Sequence, residues 1–325
     1  MKEFARVLVA NRGEIALRII RALKTLEIES VAVYSDADVS AMHVFEADSA
    51  FRLKGVYPID TYLNSKKIIE IARSADCDAV HPGYGFLSEN ADFSRLCRQD
   101  SLKFIGPSPE TLSVSGNKLE CKKIADSKGI PVIPYTREPL EDPKQAMRFA
   151  SEIGFPVLLK SAYGGGGRGI KEAKTKEQVK EAFESSKREA SSAFGRFAVY
   201  VEKKLERPRH IEVQILANDD SSEIVHLGER ECSIQRRYQK LVEISPSPIV
   251  EEETREQVCS RAVSMGKAVK YSNAGTVEFL RDSSSGEFYF LEINSRLQVE
   301  HPVTELVTGI DLVVSQIHLA KGKGI

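Results

Sequence analysis

The first 106 residues alternate between two hydrophobic periods. Ile15, Ile19, Leu23 and Leu26 recur at helical spacing and predict one buried helix face. Short apolar runs between such helices predict parallel strands. The predicted strands are residues 7–10, 30–34, 79–81 and 103–105, and the predicted helices are residues 14–26, 65–74 and 90–99. The sequence therefore predicts a parallel α/β layer at the N-terminus.

A smaller unit is predicted at about residues 132–202. Asp142 and Pro143 begin a helix that Gly154 ends, and a capping box at Thr175 begins a second helix, which runs to about residue 193. Strands are predicted at residues 156–161 and 198–205. The second strand has the pattern of an edge strand at a hinge, where adenine commonly binds backbone groups. An ordinary edge strand has the same pattern.

A glycine-rich loop at residues 164–169 directly follows the first of these strands. Five glycines in six residues cost conformational entropy, and closure of backbone N–H groups over phosphates explains that cost better than a linker does. The spacing is that of a P-loop, but Ile170 stands where that motif requires lysine. Lys160 ends the preceding strand within reach of a phosphate, although a single lysine is more often part of a solvated surface.

The C-terminal third alternates polar and apolar residues with period 2. Predicted strands at residues 209–215 and 224–230 are followed by a helix at 251–269, a hairpin and a last helix at about 309–321. The hairpin pairs residues 276–280 with 288–293 around a turn of three serines and a glycine. The pattern predicts a sheet that continues through the hairpin.

Polar side chains interrupt the second hairpin strand at alternate positions. Glu292, Asn294 and Arg296 share one parity, and Glu278 lies roughly opposite Glu292 across the turn. Two adjacent carboxylates in apolar strands repel each other unless a cation lies between them. Oxygen ligands of this kind suit Mg²⁺ or Mn²⁺. The alternative is a solvated strand face with incidental acids.

Composition narrows the class of protein. With 325 residues, 42% hydrophobic and 29% charged, the chain is expected to be a soluble globular protein of two or three domains. A net charge of −1 gives no general attraction to nucleic acid or membrane. No apolar run approaches the ~18 residues of a membrane span, and no signal peptide is recognisable. Five cysteines without a CxxC pair indicate reduced thiols of a cytosolic protein, and the absence of HExxH argues against zinc.

Three further segments are less specific. The turn at residues 11–14 opens a helix but lacks GxGxxG, so a structural turn is the better interpretation. The Gly/Pro loop at 81–86 follows a strand where parallel sheets place a ligand crevice, yet a plain connection has the same composition. Residues 232–243 are basic and suit a phosphate or carboxylate partner or a solvated patch.

Five segments together resemble one family. They are ANRGEIALRI at residues 10–19, HPGYGFLSEN at 81–90, KSAYGGGGRGI at 160–170, SIQRRYQK at 233–240 and EINSRLQVEHPVTE at 292–305. In this order they resemble the biotin carboxylase component of biotin-dependent carboxylases, an ATP-grasp enzyme of α/β fold. The resemblance implies a Rossmann-like domain at 1–115 and an ATP-grasp domain at 116–325, with a lid at about 132–202.

The resemblance also implies roles for individual residues. ATP contacts are implied for Lys118, Lys160, Gly166, Gly167, Glu202, Lys203, Leu205, His210 and Gln235. Glu278, Glu292 and Asn294 match the ligands of Mg²⁺ or Mn²⁺, and the two acids also match nucleotide-site positions. Lys240, Arg296, Gln298 and the backbone of Val299 match the bicarbonate pocket, and Glu300 matches the base that deprotonates bicarbonate.

The implied reaction is ATP-dependent carboxylation of carrier-bound biotin through carboxyphosphate, with Arg296 stabilising the biotin enolate. The implied partners are a biotin carboxyl carrier protein or domain, a carboxyltransferase subunit and, at full length, a second copy of the chain. Binding of nucleic acid or membrane is not expected, and a cytoplasmic location is. Which carboxylase the chain serves is not encoded in these motifs.

Two departures from the family pattern bear on activity. Tyr238 stands where many relatives have His or Asn, and the sequence ends at Ile325, before the family's C-terminal lobe. ATP and Mg²⁺ binding is therefore expected, with weak or absent biotin turnover. The alternatives are another ATP-grasp ligase, of carbamoyl-phosphate-forming or carboxylate–amine type, and a nucleotide-binding module without turnover.

Overall fold

A parallel sheet of five strands forms the N-terminal part of the protein, in the order β3-β2-β1-β4-β5. The structure is a computed structural model that describes residues 3–163, 170–194, 198–237 and 239–325. The strands are β1 (Arg6–Val9), β2 (Glu29–Ser35), β3 (Ser49–Leu53), β4 (Ala79–His81) and β5 (Lys103–Phe104). The helices are α1 (Gly13–Thr25), α2 (Met42–Glu46), α3 (Ser65–Ser74), α4 (Ala91–Gln99) and α5 (Pro109–Ser115), with a 3₁₀ turn at Pro58–Asp60. The predicted parallel layer is confirmed.

Helix packing on this sheet follows the apolar stripe of the sequence. Ile15, Ile19 and Leu23 of α1 are buried against β1 and β2. The loop after β4 is fixed by Asn11, whose Nδ2 donates to the carbonyl oxygens of Pro82 and Tyr84 at 2.7 and 2.8 Å. The turn at residues 11–14 therefore has a structural role, and it holds the Gly/Pro loop at the carboxyl end of the sheet.

A three-stranded antiparallel sheet follows, in the order β7-β6-β8. Its elements and the helix before it are α6 (Lys118–Ser127), α7 (Pro143–Ile153), β6 (Val157–Ser161), β7 (Lys171–Ala173), α8 (Lys176–Phe194) and β8 (Val199–Lys203). Asp142 caps α7 by accepting from the N–H groups of Lys144 and Gln145 at 2.7 and 3.0 Å. β8 is an edge strand, as predicted, although bridges from Tyr135 and Leu140 cover part of its open side.

The third sheet is antiparallel and carries the hairpin, in the order β11-β10-β9-β12-β13. Its strands, and the helix between β11 and β12, are β9 (Arg209–Ala217), β10 (Ile224–Arg236), β11 (Gln239–Ile244), α9 (Glu252–Ala268), β12 (Asn273–Arg281) and β13 (Phe288–Asn294). Ile211, Val213 and Val277 alternate along β9 and β12 and are buried in one core with Val258 and Met265 of α9. Period-2 alternation leaves the opposite face of the sheet to polar residues.

The chain ends in two helices, where the sequence predicts one at about residues 309–321. α10 (His301–Thr308) and α11 (Leu312–Ala320) are separated at Gly309, which has φ +74° and ends α10. α11 confirms the predicted helix to within three residues, whereas α10, which precedes Gly309, was not predicted. Within the described ranges no single helix is long and apolar enough to cross a membrane; α10 and α11 meet that criterion only as a pair bent by 94°.

Candidate active site

A polar face covers the central strands of the antiparallel sheet. Glu212 of β9 is the direct cross-strand partner of Glu278 in β12, which in turn pairs with Glu292 in β13. His210 and Gln214 follow the same alternation as Glu212, so they lie on this face too. The predicted placement of Glu278 opposite Glu292 is confirmed. The sheet therefore brings three carboxylates into one row.

Lys240 of β11 lies at the centre of a carboxylate cluster. Its Nζ donates to Glu278 Oε1 at 2.9 Å and to Glu300 Oε1 at 2.6 Å, and it also contacts Glu212. Burial disfavours the ammonium, but the carboxylates of Glu278, Glu212 and Glu300 outweigh burial and raise the pKa of Lys240. One cation thus ties together β9, β12 and the start of α10.

Arg230 supports this cluster from β10, and no motif of the sequence points to it. The side chain is fully buried, and it donates to Glu212 Oε1 at 2.6 Å, Gln214 Oε1 at 2.9 Å and Thr304 Oγ1 at 2.7 Å. Burial raises the pKa of Glu212, but Arg230 and then Lys240 outweigh it and lower that pKa. Glu212 is held ionised at the base of the site. In the sequence, the alternation of polar and apolar residues along β9 is the pattern that could have identified Glu212.

The oxygen donors predicted to hold a divalent cation lie together on the polar face. Asn294 Nδ2 donates to Glu278 Oε1 at 2.8 Å, and Glu292 is the neighbour of Glu278 across the hairpin. Burial raises the pKa of Glu278, but His210 and then Lys240 outweigh it, so the carboxylate stays ionised. Two carboxylates and an amide oxygen, without sulfur or imidazole, fit Mg²⁺ or Mn²⁺.

Two other groups of ligating atoms lie within 4.8 Å of one another in the described parts of the chain. They are His210, Glu212 and Glu278, and Glu212, Cys232 and Glu300. Lys240 donates to two acids of each group, and Glu278 of the hairpin set also accepts from Lys240, so this ammonium does not distinguish the three sets. The sets differ in their ligand atoms, because each of these two groups includes an imidazole or a thiol, whereas the hairpin set offers only oxygens. Oxygen ligands are those that Mg²⁺ and Mn²⁺ prefer, so the hairpin set fits these metals best.

His210 links the cluster to the basic segment at 232–243. Its Nε2 lies 3.1 Å from Glu278 Oε2, and its Nδ1 lies 3.1 Å from Nε2 of Gln235. Gln235 Nε2 also donates to the carbonyl of Cys232 at 2.7 Å. Burial lowers the pKa of His210, but the Glu278 carboxylate outweighs it and raises that pKa. His210 and Gln235, which are both implied as ATP contacts, therefore border the carboxylate cluster.

Two more lysines implied as ATP contacts reach the site from other elements. Nζ of Lys118, at the start of α6, lies 2.6 Å from Glu292 Oε2, and Lys160, in β6, contacts Glu202 of β8. Burial lowers the pKa of Lys118, but Glu292 outweighs it and raises that pKa. Burial raises the pKa of Glu202, but Lys122 and Lys160 outweigh it and lower the pKa to about 2. The site therefore carries ammonium groups along one side.

Arg296 is held from the N-terminal sheet. β13 ends at Asn294, so the predicted strand parity does not extend to Arg296, and this detail of the prediction is wrong. Glu89 Oε1 accepts from the N–H of Ser295, and its Oε2 accepts from Arg296 Nε, both at 3.1 Å. Burial lowers the pKa of Arg296, but Glu89 outweighs it, and Glu278 raises the pKa further. The guanidinium is therefore within electrostatic reach of the cluster.

The turn before α10 carries the remaining residues implied for bicarbonate. Gln298 is buried, and its Nε2 has no hydrogen-bond partner within the described residues, whereas Val299 is 60% exposed. Glu300 precedes α10 directly. Burial and the Glu212 carboxylate raise the pKa of Glu300, and Lys240 only partly offsets this rise. A carboxyl with a raised pKa beside a lysine suits proton transfer.

Some predicted contacts do not join the cluster. The ammonium of Lys203 donates to the carbonyls of Gly154 and Phe155 at 3.1 and 2.9 Å, which directs it away from the acids. Leu205 lies two residues beyond β8, where only its backbone offers polar groups. Gly166, Gly167 and Tyr238 lie outside the described residues.

Comparison with known proteins fits this geometry. The family model of the biotin carboxylase N-terminal domain matches residues 3–112, and that of the carbamoyl-phosphate synthase L chain ATP-binding domain matches 117–325. Biotin carboxylase 1 of Bacillus subtilis is 49% identical over 317 residues, which cover 98% of this chain and 70% of that protein. The chain belongs to the biotin carboxylase family. The resemblance read from the five motifs is confirmed, as is the α/β ATP-grasp fold.

Other members of the biotin carboxylase family are similar in sequence or structure. Pyruvate carboxylase 1 of Caenorhabditis elegans is 50% identical over 325 residues, and the chain spans 28% of its length. The biotin carboxylase domain dimer of Hydrogenobacter thermophilus 2-oxoglutarate carboxylase, in complex with MgADP, ADP and bicarbonate, is 47% identical with a TM-score of 0.96. That match covers 100% of this chain and 71% of the other. The chain therefore spans from about a quarter to about seven tenths of these relatives.

Proposed function

We propose that the chain uses ATP and bicarbonate to carboxylate biotin on a carrier protein. The observation that carries the proposal is the cluster in which Lys240 joins Glu278 and Glu300, with Arg296 within electrostatic reach. Such a cluster provides a base, cations for a small anion and acids for a metal at one point. The Hydrogenobacter relative has MgADP and bicarbonate bound, which supports the same ligands here.

ATP would lie between the three-stranded sheet and the polar face. Its phosphates would meet the ammonium groups of Lys118 and Lys160, which are now paired with glutamates. His210 and Gln235 would contact the nucleotide from the antiparallel sheet. The backbone beside Glu202, Lys203 and Leu205 would receive the adenine, and the backbone of Gly166 and Gly167 would cover the phosphates.

Glu278, Glu292 and Asn294 would hold Mg²⁺ or Mn²⁺. When bound, the metal neutralises charge that develops on the phosphates during transfer. Because these three residues lie on the paired strands of one hairpin, the hairpin positions them before any ligand arrives. Lys118 would then exchange its contact with Glu292 for the phosphates.

Bicarbonate would bind between Lys240, Arg296, Gln298 and the backbone of Val299. Glu300 would accept its proton, and the resulting oxyanion would attack the γ-phosphorus of ATP with release of ADP. Carboxyphosphate would then break into CO₂ and phosphate, the phosphate would take the proton of the ureido nitrogen of biotin, and that nitrogen would attack CO₂ to form carboxybiotin. Arg296 would stabilise the biotin enolate. The Nε2 of buried Gln298, which has no hydrogen-bond partner among the residues that the structure describes, is a donor available to the anion.

The partners proposed for the chain follow from the family. They are a biotin carboxyl carrier protein or domain and a carboxyltransferase, and a second copy of the chain is proposed because the Hydrogenobacter domain is a dimer. The division into a Rossmann-like domain at 1–115 and an ATP-grasp domain at 116–325 remains our proposal. Five free cysteines support a cytoplasmic location.

The proposal is tested by measuring ADP release from MgATP with and without bicarbonate. Bicarbonate is expected to stimulate release, and Lys240→Met is expected to abolish that stimulation, because the cluster loses its cation. Exposed Lys66→Met is the matched control. Stimulation by ammonia or an amine instead of bicarbonate would identify another ATP-grasp ligase. MgATP binding without any ADP formation would identify a nucleotide-binding module.

A further inference from the structure

Lys122 is a fully buried lysine beside the proposed nucleotide site, and it takes part in none of the proposed steps of the reaction. It lies one helical turn after Lys118 on α6, so both ammonium groups leave the same helix face. Its Nζ lies 2.7 Å from Glu202 Oε2 and 5.5 Å from the centre of the Tyr135 ring. Nζ has no well-aligned hydrogen-bond acceptor within the described residues. A buried ammonium with so few partners is costly unless it has a function.

The same carboxylate also serves Lys160. Glu202 Oε1 contacts Lys160 while Oε2 faces Lys122, and Glu202 is 1% exposed. Two ammonium groups therefore share one carboxylate, and among the described residues no second carboxylate forms an ion pair with either of them, which leaves one positive charge in excess. Burial lowers the pKa of Lys160, and Lys122 lowers it further against the opposing pull of Glu202. Lys160 therefore shares with Lys122 the one carboxylate that would otherwise neutralise it.

We propose that Lys122 is a positioning residue for ATP: by engaging half of the Glu202 carboxylate, it leaves Lys160 a positive charge that the phosphates neutralise. This inference rests on the proposed function, because it assumes that the anion is the polyphosphate of a nucleotide. Without Lys122, Glu202 would neutralise Lys160 fully, and an incoming phosphate would compete with that carboxylate. In the chain with Lys122, the surplus positive charge raises the free energy of the ATP-free state. Its neutralisation by the phosphates therefore increases the affinity for ATP.

The test measures MgATP affinity by isothermal titration calorimetry on the 325-residue chain. Lys122→Met removes the charge and keeps the length of the side chain. Lys123→Met is the matched control, because Lys123 is the next residue on α6 but pairs with Glu138 at the surface. The double variant Lys122→Met/Glu202→Gln removes one charge of each sign and restores the surplus. Circular dichroism and the urea midpoint confirm folding, and Lys122→Gln replaces Lys122→Met if that variant does not fold.

Lys122→Met is expected to raise the Kd of MgATP by about tenfold, whereas Lys123→Met leaves it unchanged. The double variant is expected to regain most of the lost affinity, which a purely space-filling role of Lys122 would not produce. Wild-type affinity in Lys122→Met, or a double variant as weak as the single one, would overturn this inference alone. Failure of the unsubstituted chain to bind MgATP would instead refute the proposed function, and this inference with it.

Discussion

Glu300 combines the two properties that a base for bicarbonate requires. It contacts a cation, Lys240, that would also hold the anion, and burial together with Glu212 raises its pKa from the ordinary value of 4.5. A more basic carboxylate accepts a proton more readily, provided that it is ionised at the working pH. The same environment therefore places the base and strengthens it.

Bicarbonate-dependent ADP release should decline at acid pH as Glu300 becomes protonated. Because the pKa of Glu300 is raised, the decline should begin at higher pH than for an ordinary glutamate with a pKa of 4.5. Glu300→Gln should lower the bicarbonate-dependent rate by about 10²–10⁴-fold and remove this acid limb. Rates measured across pH check both effects, and exposed Glu253→Gln is the control. An acid limb that persists in Glu300→Gln would assign it to another group.

Gly275 of β12 is a position where the fold has no space for a side chain. A Cβ built there would lie 2.0 Å from the hydroxyl oxygen of Tyr271, whose hydroxyl donates to the carbonyl of Ala274 at 3.0 Å. Gly275→Ala should therefore lower the free energy of unfolding by about 1–3 kcal/mol through overpacking. Urea unfolding measures the loss. Gly324→Ala, where a Cβ meets nothing within 4 Å, should leave stability unchanged, and equal midpoints for both variants would contradict the argument.

The sequence revealed some site residues and not others for a physical reason. Glu278, Glu292 and Asn294 lie on one hairpin, so local alternation was enough to group them. Glu89 and Arg230 reach the site only through contacts between elements, over 206 residues in the case of Glu89 and Ser295. Nothing in local period encodes such contacts. Glu212 follows the alternation of β9, but its place in the site depends on the pairing of β9 with β10 and β12, which the local pattern does not encode.

Secondary structure elements were predictable where the periodic pattern of apolar residues continued without interruption along the whole element. The helices near residues 14–26 and 251–269 and the strands of the hairpin agree with the structure to within a few residues. α2 and β7 were missed because five and three residues are too few to establish a period. β3 was missed because it lies at the edge of its sheet, where only Leu53 is buried, so its burial does not alternate.

The loop after β4 and the end of β13 are joined by one carboxylate, and this junction should control use of bicarbonate. Glu89→Gln removes the charge that holds Arg296 and weakens the contact to the N–H of Ser295. We expect the KM for bicarbonate to rise by about tenfold while the Kd of MgATP stays unchanged, because a charge-assisted hydrogen bond of about 1.5–3 kcal/mol is weakened.

Steady-state kinetics and calorimetry separate these two effects. Asp92→Asn is the control, since Asp92 lies three residues further on with a side chain that is 87% exposed. A change in MgATP affinity equal to the change in KM would show that Glu89 acts on the whole fold rather than on Arg296.

In the whole molecule, three sheets contribute to one site. The loop after β4 of the parallel sheet supplies Glu89, the three-stranded sheet supplies Lys160 and Glu202, and the antiparallel sheet supplies Glu278 and Lys240. Glu292, Glu202 and Glu300 each contact a protein cation, so the free chain holds its site in a paired state. Ligands that replace these pairs would bind between sheets and should stabilise all three together.

MgATP should therefore raise the unfolding temperature of the chain, and the metal should account for part of the rise. At a ligand concentration of 100 Kd, the stabilisation is about 2.7 kcal/mol. EDTA or Glu278→Gln/Glu292→Gln should reduce the rise, because the carboxylates that bind the metal are then unused or absent. Mn²⁺ should restore the rise in the unsubstituted chain after EDTA treatment, since it shares the oxygen preference of Mg²⁺.

Scanning calorimetry provides the measurement, with exposed Glu252→Gln/Glu253→Gln as the control pair. A rise that is insensitive to EDTA and to the hairpin substitutions would place nucleotide binding away from the acids of β12 and β13.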